Sequence, residues 1–201
     1  MGIAFLLLLT VGEGDAPPQM RYGDGGGTEF FVRPRAGVWS CSGFEFEAIR
    51  TDGTFVHVNE TTLYAGGLDL GFEIAGHYIV FAGYDIGLTD SVTADAIGAA
   101  VGYRDRAAPG ASPGIPDEVA IYAGGFWGRF EVRKAGFGGF DDAFGFRAGM
   151  MFTWMASRSV AVSLIGEYRL VEFEYQEPVL TDDKKVGGSG GWAGLGVEFR
   201  L

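Results

Sequence analysis

Few residues in this chain have the types and spacing to do chemistry. His57 and His77 are its only histidines and Cys41 its only cysteine, so zinc sites of the His-rich or Cys/His type lack ligands. His57 stands near Glu60 and Thr61, and a hydroxyl–imidazole–carboxylate set acting on lipid can be drawn there, although no motif supports it. "GSGGWA" at 188–193 has the form of a dinucleotide fingerprint, but a period-two segment follows it where that fingerprint needs a helix. The acidic residues at Glu45, Glu47, Asp52, Glu60, Asp90, Asp141, Asp142, Glu172, Glu174, Glu177, Asp182 and Asp183 lack the spacing of a calcium loop, so no metal site is expected. No cofactor is implied. A net charge of −11 gives no basic footprint for nucleic acid.

Twelve other charges form a pattern. Arg33, Arg35, Arg129, Arg147, Arg169 and Arg200 stand against Asp69, Glu73, Asp85, Glu131, Glu167 and Glu198, each assigned to the polar face of an alternating segment. A buried charge without its partner costs about 3–5 kcal/mol, so balanced numbers suit an enclosed, ion-paired interior.

Strands must position them. In 62–75, Tyr64, Leu68, Leu70, Phe72 and Ile74 take one face, opposite Ala65, Gly67, Asp69, Gly71 and Glu73. In the last segment, Ala193, Leu195, Val197, Phe199 and Leu201 oppose Trp192, Gly194, Gly196, Glu198 and Arg200. Such period-two patterning marks half-buried strands. Eight segments carry it, at about 29–41, 62–75, 77–89, 92–104, 118–134, 142–156, 158–175 and 189–201. The fourth, rich in alanine, would also suit a short helix.

Composition decides which face points inward. Lys occurs only at 134, 184 and 185 and Asn only at 59, whereas a water-facing exterior is rich in such residues. Gly numbers 35 of 201, against a usual share of about 7%. Small residues with isolated long charges fit the crowded interior of an eight-stranded barrel, and the apolar face then meets lipid. Arg or Lys at mid-depth on that face would cost about 2–4 kcal/mol. In lipid, strands can span only as a closed barrel. The expected fold is therefore all-β: a single closed, antiparallel, up-and-down transmembrane barrel of eight strands over 29–201.

The alternating segments, the opening "FFVRPRAGVW" and the terminal strand resemble a small bacterial outer-membrane β-barrel of the OmpA/OmpX size, porin-like in architecture. The resemblance covers about Phe30 to Leu201 and implies the outer membrane of a Gram-negative bacterium, with outer-membrane lipid as surroundings. It also implies that the barrel-assembly machinery reads the final strand, here through Trp192, Leu195, Val197, Phe199 and Leu201. The class usually ends on an aromatic residue; this chain ends on Leu201, with Phe199 on the same face. The apolar run Ile3–Leu9 has the size of an export-signal core, so 1–16 is expected to be a signal peptide with a truncated or misassigned start. Residues 17–28 read as a flexible lead-in. Three functions remain open: a non-enzymatic barrel with a filled, polar lumen and acidic outer loops, serving surface interaction, structure or small-solute passage; a lipid-modifying enzyme; and a soluble lipocalin-like binder. The surface partner is not specified. The long, Pro-rich "RDRAAPGASPGIPD" is expected on the periplasmic side, where turns are usually short.

Overall fold

The computed structural model describes residues 27–107, 114–133, 140–176, 179–180 and 185–201. The expected signal peptide lies outside the described residues, as does the lead-in up to residue 26; Thr28 already belongs to the first strand.

In chain order the strands are β1 (Thr28–Cys41), β2 (Glu45–Ile49), β3 (Phe55–Asn59), β4 (Thr62–Ile74), β5 (Tyr78–Leu88), β6 (Val92–Arg106), β7 (Glu118–Val132), β8 (Ala143–Met155), β9 (Val160–Leu170), β10 (Glu172–Glu174), β11 (Lys185–Gly187) and β12 (Gly190–Arg200). Eight of them close a barrel in the order β1–β12–β9–β8–β7–β6–β5–β4, and β1 pairs antiparallel with β4 to complete the circle. The remaining four form two small hairpins, β2–β3 and β10–β11. The alanine-rich fourth segment is a strand, β6, running two residues further than expected. The seventh divides, because β9 ends at Leu170 and β10 resumes at Glu172.

Thr28, Arg200 and the turns at 75–77 and 156–159 mark one end of the barrel, the near end; the hairpins mark the far end. At the near end the Ile74 carbonyl accepts from the His77 amide across a tight turn whose central residues, Ala75 and Gly76, both have positive φ (54° and 73°). That mirror-image turn matches the twist of paired strands. Glycine adopts the geometry freely, whereas alanine holds it at a cost. At the far end Thr89 Oγ1 accepts from the amides of Ser91 and Val92, closing the short β5–β6 connection. The seam of the barrel is narrow: Gly37 stands opposite Gly194, and a Cβ on Gly37 would lie 2.7 Å from the Gly194 Cα. Pro34 has no amide to donate, and β1–β12 pairing skips it while its pairing with Leu68 on β4 continues.

Outside, Leu68, Leu70, Val80, Ile97, Val101, Ile121, Met150, Leu164 and Leu195 are exposed. Aromatic side chains lie toward the strand ends: Tyr64, Trp127, Phe144 and Tyr168 at the far side, Phe72, Tyr78, Tyr103 and Phe199 at the near side. An apolar belt between aromatic girdles is the surface of a barrel that meets lipid. A soluble lipocalin-like barrel would bury these residues, so that reading is set aside.

Candidate functional site: the charged interior

Strand alternation turns every second side chain into the lumen, and glycines make room for the long ones. Asp85 leans over Gly67, and Asp69 over Gly83. The charged interior has two tiers.

In the near tier Arg33 Nε and Nη2 donate to Asp69 Oδ2 at 3.0 and 2.9 Å, and its Nη1 donates to Glu198 at 3.3 Å. Arg104 donates to Glu73 at 2.8 Å and to both oxygens of Glu198 at 3.0 and 2.9 Å. Arg200 reaches Glu198 through Nε at 2.9 Å and holds Glu118 through both terminal nitrogens. Arg106, with 19% of its side chain exposed at the mouth, donates to Glu73 and Glu118. Four guanidiniums thus meet four carboxylates.

Higher up, Arg35 and Arg169 both donate to Asp85 Oδ2, at 2.6 and 2.7 Å. Arg169 Nε donates to Glu167 at 2.5 Å, and the Tyr122 hydroxyl donates to the other Glu167 oxygen at 3.0 Å. Arg147 is buried beside them. Trp39 and Trp192, register partners on β1 and β12, roof this tier: the Arg169 guanidinium lies 4.6 Å from the Trp39 ring and that of Arg35 lies 4.7 Å from the Trp192 ring. Cation–π contact of this kind is strongest away from water.

Arg129 and Glu131 do not belong to this interior. Both are exposed on the outward face of β7, where Arg129 Nε pairs with Asp142 at 3.2 Å and 53% of its side chain is accessible. Their inward neighbours are Phe126, Phe130 and Val132. The reason is physical: β7 extends beyond the girdle at Trp127, and a strand surrounded by water reverses its rule, apolar in and polar out. Arg104 and Glu118 take the two lumen places instead. Both lie at the near-end margins of their strands, beside the Pro-rich connection, where alternation is short of neighbours to establish it.

The same reversal builds a cap over the far end. Phe44, Phe46, Phe130, Phe140 and Phe173 converge, with ring centroids 5.4 Å apart for Phe44–Phe130, 4.9 Å for Phe130–Phe140 and 5.6 Å for Phe130–Phe173. The lumen is therefore polar only in part; its far end is an aromatic core. β2 contributes Phe46 to it and β10 contributes Phe173, with Glu45, Glu47, Glu172 and Glu174 on the wet faces of the two hairpins. The alternation of "EFEAI" around a Thr-Asp-Gly turn was the available signal for the first hairpin. Outside the barrel, Lys185 bridges Glu172 at 2.7 Å and Glu174 at 3.3 Å; the hydrogen bond to Glu172, then that to Glu174, holds its ammonium above its ordinary pKa. The Thr54 amide donates to Asp52 at 2.8 Å and holds that carboxyl below its ordinary range.

His57 sits on the exposed side of the first hairpin, 3.1 Å from Glu47 and stacked on Phe55. His77 occupies the near-end turn, stacked on Tyr103. Cys41 is buried, its sulfur accepting from the Gly43 amide. Among the described residues, no three His, Cys, Asp or Glu side chains gather as metal ligands would. Of the proposed C-terminal recognition residues, Trp192 points into the lumen, while Leu195, Phe199 and Leu201 are exposed on the outer face and Val197 is partly so.

No protein-family model matches the sequence, and no curated protein matches it. Solved structures do. The chain is similar to Neisserial surface protein A (NspA), with a TM-score of 0.54 at 15% identity, over 87% of this chain and 99% of that one. It is also similar to the outer membrane protein OprG from Pseudomonas aeruginosa, with a TM-score of 0.51 at 11% identity, over 86% of this chain and 95% of that one. At such identities the likeness is one of fold: this chain has the eight-stranded barrel fold of outer-membrane proteins.

Proposed function

We propose that the protein is a non-enzymatic, integral outer-membrane barrel whose closed interior holds a structured outer surface in place, with the near end in the periplasm and the hairpins outside. The observation that carries this is the filling of the lumen. Two tiers of ion pairs, a tryptophan pair and an aromatic cap succeed one another along its axis, within an apolar outer belt. Eight strands leave an interior that side chains can fill. The work of such a molecule lies at its surface, in the acidic hairpins, and in the integrity of the envelope.

Residues 1–16 serve export, and the outward face of β12, with Phe199 and Leu201, serves recognition by the barrel-assembly machinery. Deleting Phe199–Leu201 should abolish insertion, whereas deleting Thr51–Gly53 at the tip of the β2–β3 hairpin should not. Outer-membrane fractionation and surface protease access compare the two; normal insertion of the C-terminal deletion overturns the recognition reading.

Planar-bilayer recording tests the closed lumen, and a stable porin-sized current would refute it. Mass spectrometry of lipid A with and without the protein tests the absence of lipid chemistry, since a mass change that depends on His57 would restore the enzyme reading.

A further inference from the structure

One buried cation has no carboxylate within hydrogen-bond reach. Arg147 on β8 is inside the barrel with 2% of its side chain exposed, and its Nε and Nη2 have no hydrogen-bond partner. Its nearest carboxylate is Glu167, 3.7 Å from Nη1, beyond hydrogen-bond reach. Glu167 is already engaged by Arg169 and Tyr122. In the near tier Arg106 reaches in from the mouth and brings the count to four guanidiniums on four carboxylates. In the upper tier Arg35, Arg147 and Arg169 have Asp85 and Glu167, and Arg35 also reaches Asp69, which Arg33 already holds doubly, at 3.4 Å, so that seven guanidiniums face six carboxylates among the described interior residues.

The unpaired polar atoms of that tier are mostly donors. Besides those of Arg147 they are Arg35 Nε, Arg169 Nη1 and the indole nitrogens of Trp39 and Trp192, against Asp85 Oδ1 and Asp69 Oδ1 as acceptors. Water would supply acceptors to these groups but no negative charge. An excess cation in a closed, low-dielectric space demands a charge of opposite sign.

We propose that the upper tier binds a small inorganic anion of the halide class, with the Arg147 guanidinium as its anchor. The anion completes a three-on-three balance beneath the tryptophan roof. This inference rests on the closed lumen but not on the surface role.

The test uses the full-length barrel in detergent. Crystals grown in bromide should show anomalous density in contact with the Arg147 guanidinium. In solution, replacing gluconate by chloride at constant ionic strength should raise the unfolding midpoint saturably. Arg147→Met should remove that rise, and Arg50→Gln, an outer-loop control, should keep it. Bromide found only on surface arginines, or a chloride-dependent rise that persists in Arg147→Met, overturns the proposal. Should Arg147→Met fail to fold, the bromide density of the native protein decides alone. A steady porin-sized current in bilayers would refute the closed lumen separately from either result.

Discussion

Replacing Glu198 by Gln is the sharpest probe of the interior. Glu198 accepts four hydrogen bonds, one from Arg33, two from Arg104 and one from Arg200. Glutamine offers one oxygen and turns an amide donor toward three cations. Arg33 keeps Asp69, Arg104 keeps Glu73 and Arg200 keeps Glu118, so the network is weakened rather than emptied. Removing one partner from a buried ion pair costs about 3–5 kcal/mol. At about 1.4 kcal/mol per decade, that lowers the folding equilibrium by roughly two to more than three orders of magnitude. Glu131→Gln is the control, because an exposed carboxylate on the rim should change stability by no more than about 0.5 kcal/mol. Urea unfolding of both variants in micelles, read by the mobility difference between unheated and boiled samples, gives the comparison. If Glu198→Gln lies within about 1 kcal/mol of the parent, or the two variants are equally destabilised, the ion-paired interior and the reversal of faces along β7 are both refuted.

Other outcomes follow from the same geometry. Phe130→Ala removes the ring at the centre of the cap and should cost about 3–5 kcal/mol, with faster proteolysis of the β2–β3 hairpin; an unchanged cleavage rate would show that the cap does not hold the hairpin. Leu164→Arg, at mid-height on the outer face of β9, should cost about 2–4 kcal/mol in lipid, and folding titrations in vesicles would detect it. Ala75→Gly should stabilise by about 1 kcal/mol by relieving the positive φ of the near-end turn. Gly71→Val should block folding, since a Cβ there would meet Phe31 and Phe81 at 2.6 Å, whereas Gly166→Ala meets nothing within 4 Å and should fold normally; heat-modifiable gel mobility separates the two.

Much of the barrel can be read from alternation, because lipid outside and a crowded lumen inside impose opposite demands on successive residues. Val160, Val162 and Leu164 against Ala161 and Ser163 show the rule at full strength, and β9 lies where that pattern places it. The rule fails where the surroundings change. Above Trp127 the solvent outside is water, so Arg129 and Glu131 face outward although their charge suggests the lumen. At the near end, Arg104 and Glu118 are the end residues of their expected segments, beside a Pro-rich connection where alternation has few neighbours to read, yet register places both inside. The cap is the least legible part, since it depends on Phe44, Phe130 and Phe173 meeting across distant segments.

The reversal along β7 also sets how deep the barrel sits. Moving the strand two residues toward the near end, about 7 Å along its length, would carry Arg129 to the level now held by Trp127, and Asp95, its register partner, with it. Moving it the other way would lift Trp127 and Phe144 into water. Both displacements cost free energy, so the molecule carries its own depth gauge. Its far-end hairpins are held at a set height beyond the apolar belt by the order of residues within a strand.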